Sequence, residues 1–392
     1  MGITLLDVIL VIVLIGFLVV GLRKGLWVTV GGAAGFLVGA VAAFFAIPMV
    51  AGWVQDPVWR VVAVLGAAIV LVVAGHALGT TAGAEVHRLF RSPTLHTLGS
   101  LVGGLANLVV AVFVIAALSF SVSAMGFPTV NQHMKQSMVL QGINALVPER
   151  TEAWFAQVRT AVMESDIPEI AQPLVPESPE LPDDVELTSQ AAQTSQAVGR
   201  ISGVAEQCGQ SQTGTGFAVT PTRVVTNAHV IAGVGEPSVE MPSGEVVTGR
   251  TVYFNPANDL ALLAVDPLEV PALELGEPAG PGTSGYVMGY PAGGPFTAGP
   301  AIVQARDVSQ VNDIYGSSPS EVEIYQLNAD VRQGNSGGPL VNQEGQVLGV
   351  VFARAVEGSA VGFAMTAAEA GEVLTNPGGF TETVSTGRCV DR

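Results

Sequence analysis

The stretch Gly334-Asn-Ser-Gly-Gly-Pro-Leu340 places one serine, Ser336, between glycines. Glycine permits tight backbone turns that expose a serine hydroxyl and aim nearby N–H groups at one point. A serine hydroxyl is a weak nucleophile and needs a base within hydrogen-bonding distance. The stretch therefore predicts a nucleophile, Ser336, and an oxyanion hole formed by the N–H groups of Gly334 and Ser336.

A candidate base lies in the segment Val-Val-Thr-Asn-Ala-His-Val at residues 224–230, where an apolar run delivers His229 at a turn. It is the last of five histidines, and residues 199–392 contain no lysine. A Ser–Lys dyad is therefore excluded in this part of the chain, as is a zinc site with several histidine ligands. His229 is the conventional base available to the nucleophile.

The segment Asn-Asp-Leu-Ala-Leu-Leu at residues 258–263 places Asp259 at the start of an apolar strand. The three motifs follow in the order His, Asp, Ser, which predicts a catalytic triad. His229 takes the proton of Ser336, and Asp259 orients the imidazole and stabilises its charged form. A catalytically inactive relative that keeps the same motifs is left open.

Short β-prone runs separated by Gly, Pro and Asn begin near residue 199. Examples are 215–219, 224–226, 260–265, 285–289, 324–328 and 347–353. Many short strands with turn signals between them predict an all-β sandwich or a pair of barrels.

Charge is divided unevenly along the chain. Residues 1–120 carry five basic and three acidic residues, whereas the remainder holds most of the 33 acids and gives the chain a formal net charge of −17. Phosphate binding needs a basic surface, so nucleic acid is excluded as a partner. Two cysteines provide neither a disulfide-rich scaffold nor a Cys-based zinc site, and no cofactor is expected.

Four apolar runs near the N-terminus are long enough to span a bilayer, which takes roughly 20 residues each. They are 3–22, 26–47, 58–80 and 98–120. The first run ends in Arg23-Lys24 rather than at a small-residue cleavage site, so it is expected to be retained. The pattern predicts an all-α four-helix transmembrane bundle over residues 1–120.

Basic residues decide the predicted topology. Arg23 and Lys24 lie between the first two runs, and Arg88 and Arg91 lie between the last two. The positive-inside rule places both of these loops in the cytoplasm. Both termini and everything after residue 120 are then extracytoplasmic.

Glycines recur at four-residue spacing in two of the runs. They are Gly31, Gly35 and Gly39 in the second run and Gly99 and Gly103 in the fourth. Small residues at this spacing let helices approach closely, which predicts a packed bundle. Three polar residues in or near the spans, Asp7, His76 and Asn107, either hydrogen-bond within the bundle or serve transport.

The helical part resembles the colicin V production family of membrane proteins. The resemblance rests on Leu6-Asp7, on Gly-Leu-Arg-Lys-Gly at residues 21–25 and on Gly-Ser-Leu-Val-Gly-Gly at residues 99–104. It implies a small membrane domain and says little about the biochemical mechanism of that domain.

Residues 121–198 are predicted to connect the membrane part to the rest. Apolar residues at helical spacing in 151–163 predict an amphipathic helix that lies on the membrane or on the C-terminal part. The segment 167–187, with Asp166 just before it, is rich in proline and acidic residues, which predicts an extended, poorly ordered tether.

The motifs Thr-Asn-Ala-His229, Asn-Asp259-Leu-Ala-Leu-Leu and Gly-Asn-Ser336-Gly-Gly-Pro resemble those of the chymotrypsin-fold serine proteases, particularly the bacterial trypsin-like and HtrA-type branch. The resemblance implies a chymotrypsin-like double β-barrel with the triad between two six-stranded barrels. The first barrel would end near residue 271 and the second would begin near residue 275. On this resemblance the residues after the nucleophile would be needed for the second barrel, and the peptide-binding module of HtrA proper is not expected.

A colicin-V-type membrane domain followed by such a protease at residues 199–392 resembles the actinobacterial MarP family, the mycobacterial acid-resistance periplasmic serine proteases. This resemblance implies a membrane-anchored, extracytoplasmic serine endopeptidase linked to acid or oxidative stress resistance. Its partners would be the lipid bilayer, in which it is anchored, and the cell-envelope proteins that it cleaves. The alternative is a membrane transporter or scaffold whose protease domain is regulatory or inactive.

Two features concern specificity and stability. Asp330 lies six residues before Ser336, where trypsin-like enzymes carry the acid that binds Arg or Lys; this implies cleavage after a basic residue unless Arg332 neutralises the acid. Cys208 and Cys389 are the two cysteines of the chain and flank the protease domain. They are expected to form a disulfide, and two free thiols are the alternative.

Overall fold

The computed structural model describes residues 4–53, 57–89, 93–123, 128–146, 168–170, 181, 186–205, 207–208, 210–271, 273–355 and 360–390. The chain divides into two compact units. The helical unit comprises Met1–Leu118 and Ser137–Leu146, and the β-rich unit comprises Ser119–Gln136 and Val147–Arg392.

The N-terminal helices are α1 (Leu5–Trp53), α2 (Pro57–Leu89), α3 (Pro93–Ser123), α4 (Pro128–Gln136) and α5 (Met138–Leu146). Helix α1 leaves the helical region at Gly25, where φ is 76° and ψ is 173°. By length and composition, three helices in the described ranges could cross a membrane, over Leu5–Ala43, Ile69–Val86 and Gly99–Ala116. The first two predicted spans are thus one helix with a break, which glycine permits because it has no Cβ.

Glycines bring the backbones of α1 and α2 into contact. A Cβ on Gly35 would lie 2.1 Å from the carbonyl oxygen of Gly75, and one on Gly31 would lie 2.3 Å from that of Gly79. Gly39 makes the same kind of approach to α2, at 2.5 Å from a carbonyl oxygen. The predicted close packing at these three glycines is confirmed, because no larger residue fits without moving a helix.

The two glycines singled out in the fourth predicted span behave differently. A Cβ on Gly103 would lie 2.5 Å from the carbonyl carbon of Gly25, at the break in α1. A Cβ on Gly99 would meet only the Cβ of Leu26, at an ordinary 3.9 Å. Gly103 is therefore a close-packing position between α3 and α1, and Gly99 is not.

Three polar side chains of the helical unit are hydrogen-bonded within that unit. Asp7 accepts from the Ser137 hydroxyl at 2.6 Å and from the Val139 N–H at 3.0 Å, and so holds the first turn of α5. His76 Nδ1 lies 3.1 Å from a carbonyl oxygen of α1, and Asn107 donates to another at 2.6 Å. These bonds favour the interpretation in which the polar residues stabilise the bundle.

The described strands are β1 (Glu169–Ile170), β2 (Val198–Ala205), β3 (Gln210–Thr220), β4 (Arg223–Thr226), β5 (Ser238–Glu240), β6 (Val246–Thr248), β7 (Arg250–Asn255), β8 (Leu260–Ala264), β9 (Ser284–Gly289), β10 (Thr297–Asn312), β11 (Pro319–Asn328), β12 (Pro339–Asn342), β13 (Val347–Ala355) and β14 (Val361–Thr366). They form two sheets, one in the order β6-β5-β2-β3-β4-β8-β7 and one in the order β1-β13-β12-β9-β10-β11-β14, in which β13 also pairs with β14. All six predicted β-runs overlap these strands, so the β-rich prediction is confirmed.

Apolar side chains in register build the core between the strands. Phe217 on β3 lies opposite Val225 on β4, which lies opposite Leu262 on β8, and all three are fully buried. Such cross-strand pairs are the unit of sheet stabilisation.

The short helices are α6 (Ser189–Ser195), α7 (Ala228–Ile231), α8 (Ala367–Ala370) and α9 (Glu372–Thr375), with 3₁₀ turns at Pro291–Gly293 and Pro377–Gly379.

The predicted connector is only partly described, and its amphipathic helix at 151–163 lies outside the described residues. Within the predicted tether, β1 runs parallel to β13 at Arg354, whose N–H donates to the carbonyl oxygen of Pro168 at 3.1 Å. Ile170 packs against the core. This piece is a strand rather than a poorly ordered tether, because an apolar side chain gains from burial.

Candidate active site

His229 and Asp259 form a two-point contact between α7 and the start of β8. The Nδ1–H of His229 donates to Oδ2 of Asp259 over 2.6 Å, and the backbone N–H of His229 donates to Oδ1 over 2.8 Å. Both residues are buried. Because His229 occupies both oxygens of the carboxylate, the ring is held in one orientation and one tautomer, and Nε2 is left to accept a proton.

The backbone of Asp259 is itself fixed by the segment that carries the base. Asp259 has a φ of 52°, which is uncommon for a residue other than glycine. Its carbonyl oxygen accepts from Nδ2 of Asn227 over 2.6 Å. Asn227 lies two residues before His229, so one short segment positions both partners of the contact.

Ser336 lies in the turn between β11 and β12, against the same segment. Its neighbour Gly337 has a φ of 84°, and a Cβ there would lie 2.2 Å from the carbonyl oxygen of Thr215 and 2.9 Å from the nitrogen of Asn227. No hydrogen bond joins Ser336 Oγ to His229 among the described residues. Such bonds are often long before substrate binds and tighten in the complex.

The N–H groups in the turn around Ser336 differ in whether they have a protein acceptor. The Asn335 N–H bonds to the carbonyl oxygen of Arg332 at 3.0 Å, and the Gly338 N–H bonds to that of Asn335 at 2.9 Å. The N–H groups of Gly334 and Ser336 have no acceptor among the described residues. They are the two groups that the sequence assigns to an oxyanion hole.

A neighbouring 3₁₀ turn orients the first of these groups. Gly334 has a φ of 94°, and a Cβ on it would lie 2.3 Å from the carbonyl oxygen of Tyr290. The Ala292 N–H donates to the carbonyl oxygen of Gln333 over 2.5 Å. In a trans peptide the C=O and the N–H point in opposite directions, so this bond turns the Gly334 N–H away from the turn at Pro291–Gly293.

Sequence reasoning missed Thr215, a fully buried residue of β3. Its N–H donates to the carbonyl oxygen of Ser336 at 2.8 Å, and its hydroxyl donates to that of Gly334 at 2.6 Å. The same hydroxyl accepts from the Tyr290 N–H at 3.0 Å. The sequence signal is Gly-Thr-Gly at 214–216, which by itself indicates only the start of the strand predicted at 215–219.

Sequence reasoning also missed a buried ion pair beside the 3₁₀ turn. Arg200 on β2 pairs with Glu240 on β5, and its Nη1 donates to the carbonyl oxygen of Gly293 at 2.8 Å. Lys135 of α4 lies 2.5 Å from the other oxygen of Glu240. Burial alone would raise the pKa of Glu240, but Arg200 and Lys135 outweigh it and lower that pKa to about 2.

Asp330 lies at the surface beside Arg332. The two side chains form an ion pair at 2.5 Å and are 59% and 61% exposed. The neutralising contact that the sequence raised as a possibility is therefore present. The role of Asp330 in binding a basic substrate residue stays a prediction.

A disulfide joins Cys208 to Cys389, whose Cα atoms lie 6.6 Å apart. The C-terminal segment beside this bond packs on the residues that follow α7. The Gly233 N–H donates to the carbonyl oxygen of Thr386 at 3.1 Å, and the Thr386 hydroxyl donates to that of Val234 at 3.0 Å. The bond thus holds the C-terminal segment against the part of the chain that leads away from His229.

Comparisons with known proteins match both parts of the chain. Residues 214–350 match the trypsin-like peptidase domain, and residues 6–148 match the colicin V production protein. Serine protease Rv3671c of Mycobacterium tuberculosis is 32% identical over 379 residues, 94% of each chain. The putative serine protease HhoB of Synechocystis is 32% identical over 169 residues, 42% of this chain and 40% of that protein.

A solved structure is also similar. The crystal structure of the active form of the Rv3671c protease gives a TM-score of 0.49 at 38% identity, and the match covers 57% of this chain and 100% of that one. The sequence match to Rv3671c extends over nearly the full length of both proteins. The chain therefore belongs to the MarP-type family of serine protease Rv3671c, serine endopeptidases in which a colicin V production domain is joined to a trypsin-like peptidase domain.

Proposed function

We propose that this endopeptidase is anchored in the cell membrane, acts outside the cytoplasm and uses His229, Asp259 and Ser336 as its catalytic triad. The observation that carries the proposal is the two-point contact of His229 with Asp259, next to the turn that bears Ser336. A histidine that is merely structural has no need of a buried carboxylate bound at both its backbone and its ring. Here that geometry lies against the turn that carries Ser336, in which the N–H groups of Gly334 and Ser336 have no acceptor among the described residues.

The chemistry follows from these contacts. Ser336 Oγ attacks the carbonyl carbon of the scissile peptide bond while Nε2 of His229 takes its proton. The proton on Nδ1 stays on the ring, where the Asp259 carboxylate stabilises the imidazolium. The negative oxygen of the tetrahedral intermediate accepts from the N–H groups of Gly334 and Ser336. His229 then gives its proton to the leaving amine, and water hydrolyses the acyl-enzyme by the same steps in reverse.

The test uses the full chain purified in detergent micelles. We expect Ser336→Ala and His229→Ala to lower kcat by at least a thousandfold, with residual activity from substrate binding and the oxyanion hole. A fluorophosphonate probe should label the wild-type chain and not Ser336→Ala. Glu236→Gln, at an exposed position of the same unit outside the proposed triad, controls for non-specific damage. Turnover near the wild-type value in His229→Ala would reject the triad.

The fold around the triad is proposed to be a double barrel. The pairing of β13 with both β12 and β14 supports a closed six-stranded ring, β9 to β14, for the second barrel. The domain division that goes with this proposal is 1–120 for the membrane domain, 121–198 for the connector and 199–392 for the protease.

Membrane insertion with four spans is proposed on two observations. The break at Gly25 divides α1 into two apolar segments, each long enough to cross a bilayer. The basic residues lie at that break and between α2 and α3, which by the positive-inside rule supports a cytoplasmic location for both regions. The N-terminus, the C-terminus and the protease domain are then extracytoplasmic.

Substrate preference and physiology rest on the family. We assign Asp330 to binding a basic residue before the scissile bond, in competition with Arg332. Asp330→Asn should then lower kcat/KM for an Arg substrate relative to an Ala substrate, and an unchanged ratio would remove the assignment. We propose envelope proteins as substrates and a role in acid or oxidative stress. The stress role predicts that, in a deletion strain at low pH, the wild-type gene restores growth and Ser336→Ala does not.

A further inference from the structure

We infer that Thr215 is a positioning residue of the oxyanion hole, acting through the two carbonyl groups that it holds on either side of the nucleophile turn. The inference rests on the proposed site, because it assigns a purpose to the orientation of the Gly334 and Ser336 peptide groups. Thr215 itself touches no reacting atom.

The geometry is a clamp made by one residue. The backbone N–H of Thr215 binds the carbonyl oxygen of Ser336 at 2.8 Å, and its hydroxyl binds that of Gly334 at 2.6 Å. Each bond fixes the plane of the peptide group that follows the carbonyl. The Gly334 carbonyl shares its peptide plane with the Asn335 N–H, and the Ser336 carbonyl shares its plane with the Gly337 N–H. Thr215 therefore holds the two planes on either side of the Asn335–Ser336 plane, which carries the Ser336 N–H, and one of these two planes also flanks Gly334.

The hydroxyl also links the clamp to the 3₁₀ turn. Because it accepts from the Tyr290 N–H at 3.0 Å while donating to Gly334, it ties the turn beside Ala292 to the nucleophile turn. Ala292 in turn binds the carbonyl oxygen of Gln333, the group directly before Gly334. Both peptide planes flanking Gly334 are therefore fixed, one by Thr215 and one by Ala292.

The side chain of Thr215 lies against the backbone of two glycines, where a larger residue would contact it. A Cβ on Gly289 would lie 2.8 Å from its Oγ1, and one on Gly338 would lie 3.2 Å from its methyl carbon. Three bonds to one buried residue exceed what strand pairing requires. Oxyanion-hole donors act because they are oriented before the reaction, so a residue that orients them changes the rate more than substrate binding.

Thr215→Val tests the inference in the full chain in detergent, since valine keeps the shape of threonine and removes the hydroxyl. We expect kcat to fall about tenfold to a hundredfold, with KM within about twofold. A peptide boronate, which forms a tetrahedral adduct with the nucleophile, should bind more weakly by a similar factor. A product peptide, which does not form one, should bind as it does to wild type.

Two controls separate positioning from packing. Thr194→Val removes a buried hydroxyl that donates to the carbonyl oxygen of Gly345 at 2.8 Å, away from the site, and should leave kcat unchanged. Thr215→Ser and Thr215→Ala differ only in the hydroxyl, so serine should restore most of kcat and alanine should not. This second pair keeps the test open if Thr215→Val does not fold.

A kcat within twofold of wild type in Thr215→Val or Thr215→Ala would overturn the inference, as would equal losses in Thr194→Val. If Thr215→Val binds the boronate and the product peptide more weakly by the same factor, the inference is also overturned, because the whole binding site would then be damaged. Ser336→Ala, measured in the same series, distinguishes failure of the proposed active site from failure of the role assigned to Thr215. If Ser336→Ala is active, the proposed site is wrong and this inference falls with it; if it is inactive and Thr215→Val is not, only the role of Thr215 is rejected.

Discussion

The guanidinium of Arg200 lies 2.8 Å from the carbonyl oxygen of Gly293, so a buried cation on β2 holds the 3₁₀ turn that faces the nucleophile turn. Glu240 neutralises this cation, and Lys135 of α4 shares the carboxylate. A buried charge without its partner is strongly destabilising. The protonation state of Glu240 therefore bears on both the stability of the domain and the turn beside the site.

Glu240→Gln should lower the free energy of unfolding at neutral pH by about 3 kcal/mol, because the pKa of Glu240 is lowered from 4.5 to about 2. A lowered pKa means that the stabilisation is fully present above about pH 5. It is lost as the pH falls through 4.5 toward 2. The stability gap between wild type and variant should therefore close over that window, as measured by urea unfolding at pH 7, 5, 4 and 3.

The exposed Glu236, which lies before β5, supplies the control. Glu236→Gln should match wild type at every pH. A gap for Glu240→Gln that is the same at pH 7 and pH 3 would show that its carboxylate is not the group that titrates.

Local motifs predicted part of this arrangement, and non-local pairing produced the rest. His229 and Asp259 could be proposed as partners because each ends or begins an apolar run in a recognisable pattern. Thr215 and Arg200 could not, since their roles depend on strand register, which places Arg200 opposite both Thr215 and Glu240. No spacing along the chain encodes those neighbours.

The helical part shows the same division. Four-residue glycine spacing predicted close packing but not the partner helix, which turned out to present Gly75 and Gly79 to Gly35 and Gly31. Between the first two predicted spans, the structure has one helix that breaks at Gly25. Apolar composition fixes that a segment is helical in a membrane, while the fit of backbones decides which segments pack together.

Gly35→Ala should destabilise the helical unit, because the added Cβ would lie 2.1 Å from the carbonyl oxygen of Gly75. Gly16→Ala is the matched control in the same helix, where a Cβ meets nothing within 4 Å. Alanine favours helix over glycine, so the control should keep or slightly raise the stability. Thermal unfolding of the chain in micelles, followed by circular dichroism, should thus move to a lower temperature for Gly35→Ala and stay the same or rise slightly for Gly16→Ala. Equal melting temperatures for Gly35→Ala and wild type would contradict the close packing.

Alkaline phosphatase fusions should report the proposed topology, since the enzyme is active only outside the cytoplasm. We expect activity for fusions after Asp56 and at the C-terminus, and none for fusions after Lys24 and Arg91. The fusion after Lys24 is the decisive one. With the break at Gly25 as a turn between two spans it is cytoplasmic and silent, whereas an uninterrupted α1 would make it active and reduce the number of spans to three.

Removing the disulfide with Cys208→Ser and Cys389→Ser should lower the melting temperature more than it lowers kcat. The two cysteines are separated by 181 residues, and chain entropy gives a bond that closes so long a loop a stabilisation of about 5 kcal/mol. In a domain of this size that corresponds to a fall of about 10–20 °C. The hydrogen bonds of the C-terminal segment reach Gly233 and Val234 rather than His229, so the contact of His229 with Asp259 should survive at temperatures where the variant is folded. Thr386→Val removes the bond from the Thr386 hydroxyl to Val234 but keeps the disulfide, and it should melt close to wild type. Thiol alkylation followed by intact mass, with and without reductant, shows whether the bond is present in the protein isolated from cells. Two alkylated cysteines without reductant, or a double variant that melts with wild type, would reject the bond as a source of stability.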